Sequence, residues 1–508
     1  MRIRISPELV MTYGNVTIAV VLALYFLLIP GIMVSRNLCD PAIRTGEIPR
    51  EAWRLHRYLT PRYERWARAR IASGKAGDVY FLDVPGTEWP LFGCVFYLWA
   101  TEHLQDAWAG NPDLAPSAPA EYARGTIEAC KDLLLDPVHH SWVKTHWGDD
   151  YMHEENVFFR SLIIAGLTSY ERLTGSGECV ALLRDQVETL AAELDASPYG
   201  VLHDYPGECY PIDVFAAVAW MRRADAVAGT DSSAFVGRER RAFTGDRLDK
   251  HGLIPWAVNP ASGVQYGPSR GIVNSHVLVF AREIYPDLAG EWYERFDRHF
   301  WQEKWYGAGY REFYRGGPYG EWTFDVDSGP LIGGFSPSAN AFSVAAARVN
   351  GRLDHAYTLT AQVLTVCWPL PDGRLLGPRL LSDFRHAPYL GETGILWQLT
   401  ETPAAGVNIV KGGHLAGSVY AALAVFYGGS LLILLAVYLG IRRRRRREGT
   451  VRVPRVNLQF AIWAGLITLA AASFMAGWIA PFLITLLFAH TLPRVRGRKD
   501  ETDGGALA

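Results

Sequence analysis

The stretch HDYPGECYPIDVFAAV, residues 203–218, decides how the fold of this chain is interpreted, because a polar loop passes directly into an apolar segment within it. Pro211 suits the first position of a helix, and the apolar residues after it predict a helix that is buried on most sides. The same change from a long polar loop to an apolar helical pattern recurs along residues 36–412. Alternating patterns typical of strands are scarce there, so the sequence predicts an all-α domain.

Helix-period patterns in this domain predict twelve helices, joined by connections that alternate between long and short. Six helical hairpins with six long loops would place all the long loops at one end of a ring, which is the layout of an (α/α)6 barrel. The loops would then surround the mouth of a central cavity. An irregular solenoid of helix pairs is the alternative. The predicted helices cover residues 49–74, 90–108, 117–135, 154–174, 177–196, 211–229, 232–247, 268–285, 286–305, 335–350, 351–368 and 388–402.

The composition excludes several classes of protein. The 508 residues include 50 Lys+Arg and 52 Asp+Glu, a formal charge of −2, and 12% are aromatic. The aromatic content excludes a disordered or collagen-like chain. The balanced charge argues against a nucleic-acid partner, which would require a basic face. Six cysteines in a chain of this length do not form a disulfide framework.

Three apolar stretches predict membrane segments. Val16–Val34 is an uncharged run about as long as a membrane-spanning helix, and we prefer an anchor to a signal peptide because no small-x-small cleavage site is obvious. Ser418–Ile441 and Leu458–Leu492 follow near the other end, the latter fitting a hairpin that turns near Met475, so two to three C-terminal membrane helices are expected. The predicted layout is an anchor at 1–35, the barrel domain at 36–412, a membrane helix at 413–441, a basic cytoplasmic loop at 442–457, a membrane hairpin at 458–492 and a cytoplasmic tail at 493–508.

The basic residues predict the orientation of a multi-pass protein of the inner or plasma membrane. Arg442–Arg447 follow the second apolar stretch at once and should stay in the cytoplasm. Residues 35–417 would then lie outside the cytoplasm and the N-terminus inside it. Arg36, Arg44 and Arg50, directly after the first span, weigh against this orientation.

The long loops carry most of the residues suited to acid–base chemistry. Carboxyl and imidazole groups that face an apolar cavity acquire shifted pKa values, which suits them to proton transfer. Acids just before a helix also act as N-caps, and that simpler interpretation stays open. The loop residues include Asp83, Glu88 and Trp89, then His146, Trp147, Asp150, His153 and Glu154, then Asp204, Tyr205, Glu208, Cys209 and Asp213, and finally Trp322, Asp325 and Asp327.

Metal and phosphate sites are not expected. His146, Asp150 and His153 do not follow a recognised zinc spacing. Asp325 and Asp327 lack the further ligands that a calcium loop requires. We therefore expect no metal and no cofactor.

Cys209 differs from the cysteines inside apolar helices, because it directly precedes a helix that starts at Pro211. A helix N-terminus stabilises a thiolate, so the position is typical of a reactive cysteine. An ordinary loop residue is the alternative. No Cys–His–Asn signature accompanies Cys209, which argues against a cysteine protease.

Residues 207–218 (GECYPIDVFAAV), together with 83–93 (DVPGTEWPLFG) and an Asn-aromatic motif at Asn156, resemble the linalool dehydratase/isomerase family over roughly residues 75–400. The resemblance implies an (α/α)6 barrel and cofactor-free protonation and dehydration of small terpene alcohols. It also implies that Cys209 matches a family cysteine and Asp83 an acidic residue of the first loop. Two expected positions depart from the family: its second cysteine falls at Val218 and its histidine near Leu162. His153 is a candidate substitute for that histidine.

Three functions are weighed. The first is a membrane-anchored enzyme that dehydrates, hydrates or isomerises a small hydrophobic alcohol. The second is a carbohydrate-active barrel enzyme on cell-envelope glycans, using Asp150 or Glu154 with Asp325 or Asp327. The third is a non-catalytic envelope binding protein.

The expected partners are the small-molecule substrate, or a glycan, and membrane lipid, with a homo-oligomer left open. The candidate catalytic residues are Cys209, Asp83, Asp150, His153 and Asp325, and the candidate substrate-binding residues are Trp89, Trp147, Tyr205, Glu208, Trp322 and Asp327.

Overall fold

The computed structural model of the chain describes residues 7–78, 84–317, 319–325, 327–382, 387–447, 458–475 and 479–491. The chain divides into two compact units. The first unit consists of residues 1–29 and 425–508, and the second of residues 30–424, which includes the predicted barrel domain. Most described residues are helical, so the predicted all-α class is confirmed.

Most helices of the second unit begin and end close to the predicted positions. The helix predicted over 232–247 is wrong at its end, since the α-helix stops at Glu239 and short 3-10 turns follow. Pro211 is the first residue of its helix, and that helix ends at Gly229, whose left-handed φ of 68° suits glycine. Ser336 caps another helix, because its hydroxyl accepts a hydrogen bond from the N–H of Ala339 at 3.1 Å. In chain order the helices are α1 (Pro7–Ala23), α2 (Ile29–Leu38), α3 (Ala42–Thr45), α4 (Arg50–Ser73), α5 (Val84–Gly110), α6 (Pro119–Tyr122), α7 (Arg124–Leu134), α8 (Ser141–Trp147), α9 (Val157–Thr174), α10 (Val180–Ala196), α11 (Pro211–Ala228), α12 (Ser233–Glu239), α13 (Gly271–Ile284), α14 (Pro286–Phe300), α15 (Pro337–Val349), α16 (Leu353–Val366), α17 (Leu376–Ser382), α18 (Leu390–Thr400), α19 (Gly417–Arg447), α20 (Leu458–Met475) and α21 (Ile479–Thr491).

Three short antiparallel hairpins lie in the long connections. The helix predicted over 286–305 is wrong at its end, since α14 stops at Phe300. The next residues instead pair with a glycine-containing segment, in register from Trp301 with Tyr310 to Lys304 with Gly307. Glycine disfavours a helix there. The strands are β1 (Ala257–Val258), β2 (Gln265–Tyr266), β3 (Trp301–Lys304), β4 (Gly307–Tyr310), β5 (Trp322–Asp325) and β6 (Gly329–Ile332).

Six helices of the second unit pack in a closed cycle of contacts, here called the helix cycle. In this cycle α5 packs against α9, α9 against α11, α11 against α13, α13 against α15, α15 against α18, and α18 against α5. These are the six helices that follow the long connections. Each of α4, α7, α10, α12, α14 and α16 packs against at least one of them.

Helices of the cycle begin at a common end. The charges of Glu88, near the start of α5, and Asp213, in the first turn of α11, act on each other. At the opposite end the hydroxyl of Ser169 in α9 donates a hydrogen bond to Glu102 in α5 at 2.6 Å. The long connections that precede these helices therefore gather at the end where the helices start.

Aromatic rings fill the interior of the helix cycle beyond the end where its helices start. Trp99 of α5 and Trp220 of α11 stack with ring centroids 4.3 Å apart. Because α5 and α11 are not consecutive in the cycle, this contact crosses its interior. Trp397 of α18 lies 4.5 Å from Trp99, and Phe280 of α13 lies 5.8 Å from it. These four residues, here called the aromatic floor, close the interior below the helix starts.

The first unit contains helices packed through α1, since α1 contacts both α20 and α21, and these two contact each other. Asn15 accepts a buried hydrogen bond from the indole N–H of Trp463 at 2.9 Å. Gly14 allows this approach, because a Cβ there would lie 2.1 Å from the Trp463 ring. The turn predicted near Met475 falls partly on residues 476–478, outside the described residues.

Two helices, Val10–Leu38 and Gly417–Arg443, are long and apolar enough to cross a membrane. The first contains a π-helical turn at Leu24–Leu28. Phe460–Ser473 and Pro481–Thr491 are apolar but shorter. The number of crossings and their orientation stay predictions.

Candidate active site

Four carboxyl groups, two near the starts of helices and two in long connections, meet at the end where the helices of the cycle start. They are Glu88, Asp204, Asp213 and Asp327, here called the carboxyl cluster. The charges of Asp213 and Asp327 both act on Glu88, and those of Asp213 and Glu88 act on Asp204. Chain segments far apart in sequence therefore bring like charges together.

The pKa values in the cluster are raised. Burial, followed by the charge of Asp327, raises the pKa of Asp213 to about 8. Burial and the charges of Asp213 and Asp327 raise the pKa of Glu88 well above its ordinary range. Both side chains retain some accessible surface. Near neutral pH the Asp213 carboxyl is therefore mostly protonated and can donate a proton.

Asp204 stabilises the local fold of the cluster by accepting hydrogen bonds from two backbone N–H groups. Its carboxyl accepts the backbone N–H of Phe158 at 2.8 Å and that of Tyr210 at 2.5 Å. These bonds join the first turn of α9 to the loop that leads into α11. Burial and the charge of Asp213 nevertheless raise the pKa of Asp204.

Tyr205 connects the third long loop with α5, because its hydroxyl donates a hydrogen bond to Glu88. The Tyr205 ring lies 6.4 Å from that of Trp142 and 5.9 Å from that of His146. The connection that precedes α9, which contains Trp142 and His146, thus covers one side of the hydrogen bond between Tyr205 and Glu88. Tyr205 is the predicted substrate-binding residue that contacts the cluster by a hydrogen bond.

Arg270 forms ion pairs with acidic residues next to the carboxyl cluster. Its guanidinium donates to Glu312 at 2.6 Å and to Asp325 at 2.8 Å, and it stacks over Trp256 at 4.0 Å. Burial alone would raise the pKa of Asp325, but the hydrogen bond and charge of Arg270 outweigh it, and the net pKa is lowered. Asp325 therefore stays anionic near neutral pH.

Asp327 lies at the edge of this ion pair, 4.0 Å from the guanidinium of Arg270. Burial and the charge of Asp325 raise the pKa of Asp327, and Arg270 partly offsets that effect. Asp327 was predicted to bind substrate, and it belongs to the cluster.

His276 of α13 lies among the interior aromatic rings. Its imidazole contacts Phe342 at 4.9 Å, Phe280 at 5.2 Å and Trp397 at 5.7 Å. Burial lowers the pKa of His276 to about 3, so the ring is neutral. Among the described residues, neither ring nitrogen has a hydrogen-bond partner. This leaves a neutral imidazole above the aromatic floor.

The structure does not support the prediction that Cys209 has a reactive thiol. Cys209 is fully buried, and its backbone forms an isolated bridge with Val258 through bonds of 3.0 and 2.8 Å. Burial and the charges of Asp204 and Asp213 raise the pKa of its thiol well above the ordinary value. The predicted helix N-terminal effect is outweighed, because the thiol is desolvated beside carboxyl groups.

Asp150 and His153 lie away from the carboxyl cluster. His153 contacts Asp150 through Nδ1 and Asp185 of α10 through Nε2, each at 3.0 Å. The hydrogen bonds to these two carboxyls raise the pKa of His153. The end of the second long loop thus lies along α10, and no contact among the described residues joins this pair to the cluster. The prediction that the pair faces the same chamber as Asp325 is therefore not supported.

The other predicted residues occupy varied positions. Glu208 is exposed and accepts a hydrogen bond from the hydroxyl of Tyr210 at 3.1 Å. Trp322, a candidate substrate-binding residue, is 71% exposed and lies on the outer face of the β5–β6 hairpin. Trp89 is partly buried beside Glu88, and Trp147 packs against His203 with centroids 6.3 Å apart. Asp83 lies outside the described residues.

Arg270 and His276 were not anticipated from the sequence, and Glu88 and Asp213 were noted but not selected. A usable signal existed for three of them. Glu88, Asp213 and His276 each stand in the mainly apolar first part of a helix, one or two turns before an aromatic residue of its inner face. No comparable pattern marks Arg270.

No three His, Cys, Asp or Glu side chains among the described residues are arranged to hold a metal ion. No family model matches the chain. A comparison with curated proteins also found no match. The resemblance to the linalool dehydratase/isomerase family therefore rests on the short motifs alone.

Proposed function

We propose that the helix cycle is an (α/α)6 barrel and that its chamber carries out cofactor-free acid–base chemistry on a small hydrophobic alcohol. The reaction would be a dehydration, hydration or isomerisation. The closed order of helix contacts and the common end of the helix starts support the barrel. The carboxyl cluster above the aromatic floor supports the chemistry.

One observation carries the proposal: Glu88 and Asp213 are raised in pKa, and no cationic side chain among the described residues pairs with them. A carboxyl buried for structural reasons alone is normally paired or fully hydrogen-bonded. A general acid for neutral pH instead needs a pKa near that pH, which Asp213 has at about 8.

In the proposed dehydration, Asp213 donates its proton to the substrate hydroxyl, and the C–O bond breaks with loss of water. The resulting carbocation faces the aromatic rings below, whose π faces stabilise positive charge. Asp327 then removes a proton from the neighbouring carbon, and the electron pair of that C–H bond forms the double bond. Proton transfer from Asp327 back to Asp213 restores the starting state.

This scheme changes the assignment of the catalytic groups. Asp213 takes the place given to Cys209, since the thiol is fully buried. Glu88 and Tyr205 would orient the hydroxyl. His276 would accept a hydrogen bond from, or donate one to, a substrate inside the chamber.

The test is a substitution series. Asp213→Asn and Glu88→Gln remove the acids at constant shape, and Asp246→Asn is the matched control because Asp246 is 85% exposed. Incubation with a panel of terpenoid alcohols should give dehydrated or isomerised products, detected by mass spectrometry. We expect the first two variants to lose about 100-fold or more in rate, and the control to lose none. Full activity in both cluster variants would exclude the mechanism.

A second candidate, hydrolysis of a glycan, is favoured by one specific observation. Asp325 is held anionic by Arg270, while Asp213 and Asp327 next to it are raised in pKa. An anionic and a protonated carboxyl in one cleft are what glycoside hydrolysis needs. Release of reducing sugars from envelope glycans, abolished by Asp325→Asn, would favour this candidate over the first.

We further propose that the chain is a multi-pass protein of the inner or plasma membrane, with the second unit outside the cytoplasm. The six arginines that end α19 support this orientation. A membrane location would bring the chamber close to a lipid-soluble substrate.

A further inference from the structure

An exposed apolar face stands on the β5–β6 hairpin. Trp322 pairs with Ile332 and Phe324 with Pro330, so these four residues share one face of the two strands. Trp322 and Phe324 are each 71% exposed, and Ile332 is 50% exposed. Leu331, on the other face, is buried. The hairpin thus has apolar residues on both faces and covers only one of them.

A third exposed aromatic residue adjoins this face. Trp305, in the turn between β3 and β4, is 88% exposed. Lys304 joins the two hairpins, because its ammonium group donates to Glu321 at 3.0 Å and to the carbonyl of Gly333 at 2.7 Å. Trp305, Trp322, Phe324 and Ile332 are here called the docking face.

The long apolar helix α19 starts at the same place. The N–H of Ser418 donates to the carbonyl of Tyr306 at 2.7 Å. Gly417 lies so close to the turn that a Cβ there would meet the carbonyl oxygen of Trp305 at 2.2 Å. Tyr420, in the first turn of α19, is 60% exposed. Aromatic residues of this kind concentrate where a helix enters the bilayer.

The other end of the β5–β6 hairpin reaches the chamber, since Asp325 ends β5 and is paired with Arg270. The hairpin therefore runs from the start of α19 to the carboxyl cluster. An exposed apolar patch at this position is suited to lipid rather than to water.

We propose that the docking face inserts into the headgroup region of the bilayer that α19 crosses, and that this contact brings the chamber mouth to the lipid surface. The partner is the membrane itself, because the face is continuous with the start of an apolar helix of spanning length. The proposal requires that α19 crosses the membrane, but it does not depend on which reaction the chamber performs.

Site-specific labelling tests the proposal on the full chain. Cys39 is the exposed cysteine and the other five are buried, so Cys39→Ser gives a background with low labelling. Trp305→Cys, Trp322→Cys and Phe324→Cys each accept an environment-sensitive NBD label. The matched control is Leu114→Cys, 45% exposed beyond the C-terminal end of α5. The proteins are reconstituted into phosphatidylcholine–phosphatidylglycerol vesicles with or without spin-labelled lipid.

We expect spin labels near the headgroups to remove about half of the NBD fluorescence at the three docking positions, as for side chains buried at the headgroup boundary. The label at Leu114→Cys should lose none. Equal and negligible quenching at all four positions would overturn the proposal. A blue-shifted label that lipid does not quench would also overturn it, because the face would then be covered by protein. No enzymatic activity is measured, so a failure here is separate from a failure of the proposed function.

Discussion

Replacing Asp213 by Asn should stabilise the protein near neutral pH while abolishing its proposed activity. The folded protein holds the Asp213 carboxyl at a pKa of about 8, against an ordinary value of 3.8. Between these two values the folded state binds a proton that the unfolded state has lost. The wild-type protein therefore loses stability as the pH rises from about 4 to about 8. Asn does not titrate and so avoids this loss.

The magnitude follows from the two pKa values. Each pH unit between 3.8 and 7 contributes about 1.4 kcal/mol, which sums to about 4 kcal/mol at pH 7. This is the largest stabilisation that removal of the Asp213 charge alone can give, since the charges of Glu88 and Asp327 also act at this site. Below pH 4 the wild type and Asp213→Asn should have nearly equal stability.

The assay is thermal unfolding of the detergent-solubilised full chain, followed by tryptophan fluorescence at several pH values from 4 to 8. Asp213→Asn should melt several degrees above the wild type at pH 7, and the difference should shrink towards pH 4. Asp246→Asn, with its exposed side chain, should melt like the wild type throughout. A variant that melts below the wild type at pH 7 would show that the folded protein stabilises the ionised carboxyl, and the argument for a general acid would fail.

Three further outcomes are expected. Arg270→Ala leaves the buried Glu312 carboxyl without its cation and should lower the free energy of unfolding by about 3–5 kcal/mol, measured by denaturant titration. His276→Phe fills a similar volume, so stability should change by less than about 1.5 kcal/mol while turnover falls; unchanged turnover would make His276 a packing residue only. Cys39 should react with iodoacetamide at pH 7.5 and Cys209 should not, as judged by peptide mass spectrometry, and rapid labelling of Cys209 would contradict its burial.

The helices were predictable from the sequence because their signals are local. Pro211 begins α11 and Gly229 ends it, each for reasons of backbone geometry that act within a single turn. The alternation of long and short connections then identified which helices follow the loops. The end of α14 was missed because the pairing partner of Trp301–Lys304 lies beyond the turn, and propensity alone does not register that pairing.

The site was harder to predict, because a loop's sequence does not tell which way the loop folds. Asp150 and His153 immediately precede α9, yet they lie against Asp185 on the outer helix α10. For Trp322 the sequence pattern misleads: the period of two in residues 322–325 predicts that Trp322 and Phe324 form the buried face of a strand, yet both are 71% exposed. The candidate catalytic role of Asp213 was not predicted, because acids at helix starts usually cap the helix or favour its dipole.

The interpretation of acids at helix starts as caps explains some acids of the site and fails for others. It accounts for Asp204, whose carboxyl accepts backbone N–H groups from Phe158 and Tyr210. It does not account for Asp213, which lies in the first turn of α11, where the helix dipole should favour its charged form. Burial next to other carboxyls outweighs that dipole and raises the pKa to about 8. A carboxyl held against both the helix dipole and its neighbours does not stabilise the fold, so we infer that Asp213 serves the proposed proton transfer rather than the start of α11.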